Sequence, residues 1–211
     1  LARGPRRRLS GNAIRDTALY TSGLLVEKIG GPSVKPYMPP GIWASVSNAK
    51  YKRGKGPALY RRSLYTYWRR TLPPPTLMTF NAAAREVCIV KMDQTTTPLQ
   101  ALASMNNIAF VEAARFLAER VLRPKGLDDR GRLTRAFRLV LSRPPTPGEL
   151  KILEADLEYY LDDFRKRPAA ARKLLGVGEK PFNKKLDSAK LASYALIANT
   201  ILNLDEAITQ N

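Results

Sequence analysis

Asp16, Glu86 and Asp93 are, with Glu27, the only carboxylates in the first hundred residues of this chain, against 17 lysines and arginines. Asp16 follows Arg15, and Glu86 follows Arg85. Two carboxylates flanking a sugar bond at the right spacing hydrolyse a glycoside, one as acid and the other as base or nucleophile. The same neighbours also read as ion pairs that tie loops to helices. The chain has no histidine. That removes the commonest general base, the Ser-His and Cys-His nucleophile pairs, and the usual zinc and haem ligands. The single cysteine, Cys88, lies between Val87 and Ile89 and reads as a buried structural thiol, with no internal disulfide, CxxC pair or CxxCH haem attachment. No metal or cofactor is expected, and no reaction can be read from these residues.

Binding chemistry is easier to find. Thirty-six basic against 18 acidic residues give the chain a net charge of +18, most of it in the amino-terminal half. Such a field attracts nucleic acid, anionic glycans, anionic lipid or an acidic protein surface. In the stretch YRRSLYTYWRR, Arg61, Arg62, Arg69 and Arg70 stand beside Tyr65, Tyr67 and Trp68, and together they form the candidate partner-binding patch. Its competing reading is aromatics in the core with arginines on a solvated face. A smaller candidate is an anion site made by Lys91, Thr95, Thr96 and Thr97 at a helix start, where free N–H groups and the dipole favour negative charge. A capping box accounts for the same threonines, with Thr97 as cap, Pro98 at N1 and Gln100 at N3. Nucleic acid is the rival partner, but the chain lacks a helix-turn-helix, zinc-finger or aromatic RNA-platform pattern.

The elements that must position these residues are mostly helical. The stretch RRLSGNAIRDTALYTSGLL puts Leu9, Ile14, Ala18 and Leu25 on a helix stripe that Gly11 weakens. GGPSVKPYMPPGIW cannot hold regular structure and is expected to be pinned to the core by Tyr37, Ile42 and Trp43. Tyr60, Leu64, Tyr67 and Trp68 share a helical face, which favours helix over a strand that would pair Leu64, Thr66 and Trp68. EVCIVKM is the one candidate short strand.

From Thr97 onward the pattern predicts a helical bundle. A first helix turns Leu99, Leu102 and Ala103 inward, and Asn106 and Asn107 interrupt it and recap the next. That next helix, IAFVEAARFLAERVL, sets Glu112 with Arg115 and Glu119 with Arg123 on its wet face. A third starts at Asp128 or Asp129, with Leu133, Phe137, Val140 and Leu141 inward. A fourth opens with a second capping box, Thr146 to Glu149, and stops before Pro168. A basic linker, RKLLGVGEKPFNKK, leads to a last helix from about Ser188. The expected fold is therefore mostly α: one domain over 1–211, with a basic, loop-rich half (1–97), a bundle half (98–211) and at most one short strand pair. No run of 18 apolar residues suited to spanning a membrane is present.

In order along the chain, RRLSGNAIRDTALYTSGLL, GGPSVKPYMPPGIW, YRRSLYTYWRRTLPPPTLMTF, TTTPLQALASMNNIAFVEAAR and ILNLDEAIT resemble the planctomycete cytochrome-c-associated domain of unknown function, abbreviated PSD. The resemblance implies the carboxy-terminal module of a large exported protein, periplasmic or otherwise exported, that often carries a haem-c-type domain elsewhere. It fits a start, LARGPRRRLS, that reads as a cut end. Three positions depart from the family pattern: Asn12 and Asn81 stand where an acid is implied, and Lys91-Met92 where paired arginines are. An amide cannot serve as general base or anionic metal ligand. The expectation is a non-catalytic docking module for an acidic protein, such as a c-type cytochrome or another subunit. The alternatives are a nucleic-acid binder of the ribosome-associated type or a carboxylate-dependent hydrolase of an anionic polysaccharide.

Overall fold

The structure, a computed structural model, describes residues 7–46, 50–90 and 95–210. Helix α1 (Gly11–Ser22) follows strand β1 (Arg7–Arg8) and begins where the Ser10 hydroxyl accepts the Ala13 N–H. It ends at Gly23, whose left-handed φ of 76° lets its N–H close on the carbonyls of Leu19 and Tyr20. Leu9 and Leu25 flank the helix and still pack on the core. Gly11 is needed for close approach: a Cβ there would lie 2.8 Å from the Phe80 Cβ and 3.1 Å from the Leu77 carbonyl oxygen. Gly11→Ala is therefore expected to destabilise by about 1–3 kcal/mol despite alanine's better helix propensity. Urea denaturation checks the sign.

The bundle comprises α3 (Pro98–Asn106), α4 (Ile108–Leu122), α5 (Asp129–Leu141), α6 (Pro147–Lys166), α7 (Pro168–Leu175) and α8 (Ser188–Leu202). A short α2 (Pro75–Thr79) precedes it and a short α9 (Asp205–Ile208) follows. Helix α8 is apolar on nearly every side and forms the axis, packed by α4, α6 and α7, while α1 lies on α4. Leu117, Leu133, Leu191, Ile197 and Ile201 are fully buried where they meet. Both capping boxes form, Thr97 with Gln100 and Thr146 with Glu149, and Asn107, Asp128 and Asp187 cap α4, α5 and α8. Among the described residues, no helix is long and apolar enough to cross a membrane.

The expected basic linker starts inside a helix: its first four residues, 172–175, are the end of α7, which Pro168 starts at N1 and whose Ala171 and Leu175 are buried. Residues 60–68 are not one helix. Two short 3-10 turns, Gly56–Tyr60 and Ser63–Tyr65, are set in extended chain. Their backbone pairs outward instead: Val26 N–H donates to the Tyr60 carbonyl (2.9 Å), Val34 N–H to that of Tyr65 (2.8 Å), and Tyr67 N–H to that of Val34 (2.7 Å). Tertiary pairing thus overrides the apolar period, and Leu64 is exposed.

The candidate strand EVCIVKM is not one over its described part, and Cys88 is exposed rather than buried. The only strand pair among the described residues joins the two ends of the chain, with β1 antiparallel to β2 (Thr209–Gln210) and Arg8 opposite Thr209. In α3, Leu99 and Leu102 face out, while Gln100 and Ser104 are buried. In α4, Glu112 and Arg115 lie in the interior instead of on a wet face.

Candidate functional site

The Pro-rich loop and the 60–70 stretch together build a basic, aromatic face. Trp43, Tyr51 and Tyr67 cluster, with ring centroids 5.1 and 6.1 Å from that of Trp43. Lys35 Nζ sits over all three rings, at 5.8, 5.9 and 4.8 Å. The Arg69 guanidinium lies 5.2 Å from the Trp43 ring centroid and donates to the Val46 carbonyl. Trp68 is half-buried: its Nε1 donates to the Ala84 carbonyl at 2.8 Å and Arg85 stacks on it at 4.5 Å. Arg62 and Arg70 are exposed. Cations held against ring faces gain from the quadrupole and lose rotamer freedom before any partner arrives.

Arg61 has a different task from the other patch residues. It is buried, stacks on Tyr65 at 3.7 Å, and donates to the carbonyls of Lys28 (2.9 Å), Gly30 and Pro32 (2.9 Å). Tyr65 in turn accepts the Gly30 N–H. These two residues shape the loop; Tyr67 and Arg69 lie with the Lys35–Trp43–Tyr51 cluster, and Arg62 lines a cleft on α1.

The threonine stretch is a polar knot. Thr97 Oγ1 accepts the Gln100 N–H, and Gln100 Oε1 accepts from Thr97 N and from Arg8 Nη2. Gln100 Nε2 reaches the Thr79 carbonyl at 2.9 Å and Thr95 Oγ1 at 3.3 Å. Arg8 also donates to Thr96 Oγ1 (2.8 Å), and Asn81, at a φ of 57°, donates to Thr95 Oγ1 (2.6 Å). Thr95, Thr96 and Thr97 thus each hold an internal partner, while Lys91 lies outside the described residues. The amide of Asn81 is used as a donor here, which a carboxylate could not be. Asn12 Oδ1 is buried with no hydrogen-bond partner among the described residues.

Of the acids, Asp16 Oδ1 accepts both the N–H (2.8 Å) and the hydroxyl (2.7 Å) of Ser63, and Arg15 lies 3.7 Å away. Arg15 itself donates to the carbonyls of Leu59 (2.7 Å) and Arg61 (3.0 Å), so the pair fastens α1 to the 60–66 chain. Burial lowers the affinity of the Arg15 guanidinium for its proton, opposed by Asp16. Asp16 and Glu27 line one open cleft with Tyr20 and Arg62. Glu86 and Arg85 are exposed, and no ion pair joins them among the described residues. Asp93 lies outside the described residues. Among the described residues, no three acidic or cysteine side chains converge as metal ligands do.

One polar centre escapes sequence reasoning. Glu112 is 0% and Arg115 1% exposed. Glu112 Oε1 accepts from the Tyr60 hydroxyl and from Lys180 N–H, both at 2.9 Å, and Oε2 accepts from the Tyr37 hydroxyl at 2.9 Å. Tyr37 also accepts the Glu179 N–H (2.8 Å). Arg115 is 3.7 Å from Glu112, donates to the Lys180 carbonyl at 2.7 Å and pairs with Glu119 at 3.4 Å. A Cβ on Gly178, whose φ is 97°, would overlap the Glu112 carboxylate. The centre binds α4, the 177–183 segment, the Pro-rich loop through Tyr37 and the Gly56–Tyr60 turn through Tyr60 into one unit. Burial, reinforced by Glu112, pushes the Tyr37 hydroxyl up to about 12 and raises that of Tyr60 as well. Both Glu112 oxygens are satisfied internally, and only Arg115 Nε of the pair is buried without a partner among the described residues, which fits a clasp better than a reacting site. The only sequence signal was Glu112, Arg115 and Glu119 at helical spacing, which is equally the signature of a solvated face.

No curated protein and no solved structure matches the chain. The sequence model of one family does, over residues 1–157, a span that takes in the basic face, the threonine knot, the clasp residues of α4 and the first half of α6. On that match the chain belongs to the PSD1 family, described as a protein of unknown function (DUF1553).

Proposed function

We propose that this domain is a non-catalytic docking module of an exported, haem-c-associated multidomain assembly, and that its basic face holds an acidic protein, such as a c-type cytochrome or another subunit. The observation that carries the reading is uncompensated charge. Among the described residues, Lys35, Arg62, Arg69 and Arg70 have no carboxylate within ion-pair distance, and Lys35 and Arg69 are held on aromatic rings. A surface of that kind steers an acidic partner into register and offers it ordered donors at low entropic cost. The export and haem association rest on the family resemblance.

The test compares two double charge reversals of equal net change. Arg62→Glu/Arg70→Glu is expected to reduce retention of the partner at least tenfold. Arg135→Glu/Arg172→Glu, at exposed positions of the bundle, should leave it within twofold. Equal losses in both variants would show that total charge, rather than this face, does the binding.

A further inference from the structure

Helix α3 is inside out. Leu99, Leu102 and Met105 are 62%, 59% and 45% exposed, while Gln100 and Ser104 are 2% and 6% exposed. Its polar side is fastened inward: Gln100 holds the Thr79 carbonyl and Arg8, and the Ser104 hydroxyl is bonded to Asn203 Oδ1. A rotation of the helix by about 180°, half a turn, would exchange the two sides. The hydrogen bonds instead hold the leucines in water, where their burial is forgone. The whole tract from Thr95 to Val111 also lacks Lys, Arg, Asp and Glu, in a chain that is 26% charged.

We propose that the outward face of α3 is a self-association surface on which a second copy of this chain docks with its own α3. In a two-fold contact each patch meets itself. An uncharged Leu/Leu/Met stripe is complementary to itself, and Met105 adapts to the fit. Elsewhere a copy carrying +18 meets like charge. An acidic partner, by contrast, gains no electrostatic attraction from a neutral face. Nine helical residues offer a strip only about 14 Å long, short of the roughly 800 Å² per partner of a standard interface. The dimer is accordingly weak and concentration-dependent. Salt gives it a signature opposite to docking on an acidic protein: screening relieves the repulsion between two basic bodies and leaves the apolar contact intact.

Sedimentation equilibrium from about 10 µM to about 1 mM, at low and high salt, reads the effect. The weight-average mass is expected to climb from the 23.5 kDa of one chain toward twice that value, further at high salt. Leu102→Glu should weaken association at least tenfold with helical circular dichroism unchanged, and Leu102→Met should keep it. Leu99→Glu serves if the first variant loses its helicity. A mass that stays at one chain in all conditions overturns the proposal. So does association that salt abolishes, or that a folded Leu102→Glu variant retains. Binding to anionic lipid vesicles that Leu102→Glu abolishes, without self-association, would assign the face to lipid instead and equally overturn it.

Discussion

Glu112→Leu is expected to cost about 3–5 kcal/mol of unfolding free energy, the loss seen when one partner of a buried ion pair is removed. The carboxylate accepts three hydrogen bonds, from Tyr37, Tyr60 and the Lys180 N–H, and lies 3.7 Å from Arg115. Leucine leaves the buried Tyr60 hydroxyl and Arg115 without that acceptor, and the half-buried Tyr37 hydroxyl as well, and each buried unsatisfied group carries its own desolvation penalty. Water cannot easily reach Tyr60 and Arg115, which are 2% and 1% exposed. The companion variant Glu112→Leu/Arg115→Met should be less damaging than the two single substitutions summed, since it removes the stranded charge together with its partner. Urea denaturation of the four proteins measures both quantities. A loss under 1 kcal/mol for Glu112→Leu would mean that the clasp contributes little to joining the basic half to the bundle.

The second large effect is alkaline. Burial pushes the Tyr51 hydroxyl up to about 12, and burial with Glu112 does the same for Tyr37. Tyr60 is raised in the same way, and Tyr194 by burial followed by Asp129. A group whose pKa is higher folded than unfolded contributes stability in full below its unfolded value. For these tyrosines that value is 10.0, and the contribution is lost as pH rises through the folded one. Stability is therefore predicted to be flat up to about pH 10 and then to fall steeply toward 12, with more than one proton coupled to unfolding. Thermal melts across that range, followed by the tyrosinate absorbance, check the sign. A protein equally stable at pH 9 and 11.5 would contradict it. Tyr37→Phe should flatten part of the slope while costing some stability at neutral pH, since Glu112 loses a donor.

The capping devices were legible because they are local. Thr97-Pro98-x-Gln100 and Thr146-Pro147-x-Glu149 need nothing beyond their own backbone to declare a helix start, and both form as read. Helices α4, α5, α6 and α8 were legible for a related reason, since period and caps agree along each of them. Three features depend on what a segment meets in space, and sequence pattern misplaced them. The 60–68 stretch has a helical apolar period, yet its carbonyls and amides are taken by Val26 and Val34. The leucines of α3 look inward until Gln100 and Ser104 are seen to be anchored by Thr79, Arg8 and Asn203. Glu112 and Arg115 read as a solvated pair because no sequence rule tells a charged residue that residues 177–183 will cover it. Within the candidate patch, sequence reading did not separate roles: Arg61 is a scaffold for loop carbonyls, whereas Lys35, Trp43 and Tyr51, which lie well before Arg61 in the chain, cluster with Tyr67.

Capture of the partner tests the docking account most directly. The immobilised domain is exposed to the native exported fraction at low salt and eluted with a salt gradient, with the eluate identified by mass and scanned for haem absorbance. The account predicts one acidic protein, haem-bearing or a subunit of the same assembly, released by salt and retained poorly by Arg62→Glu/Arg70→Glu. Elution of nucleic acid alone, or retention of an acidic protein unchanged by that variant, would contradict it.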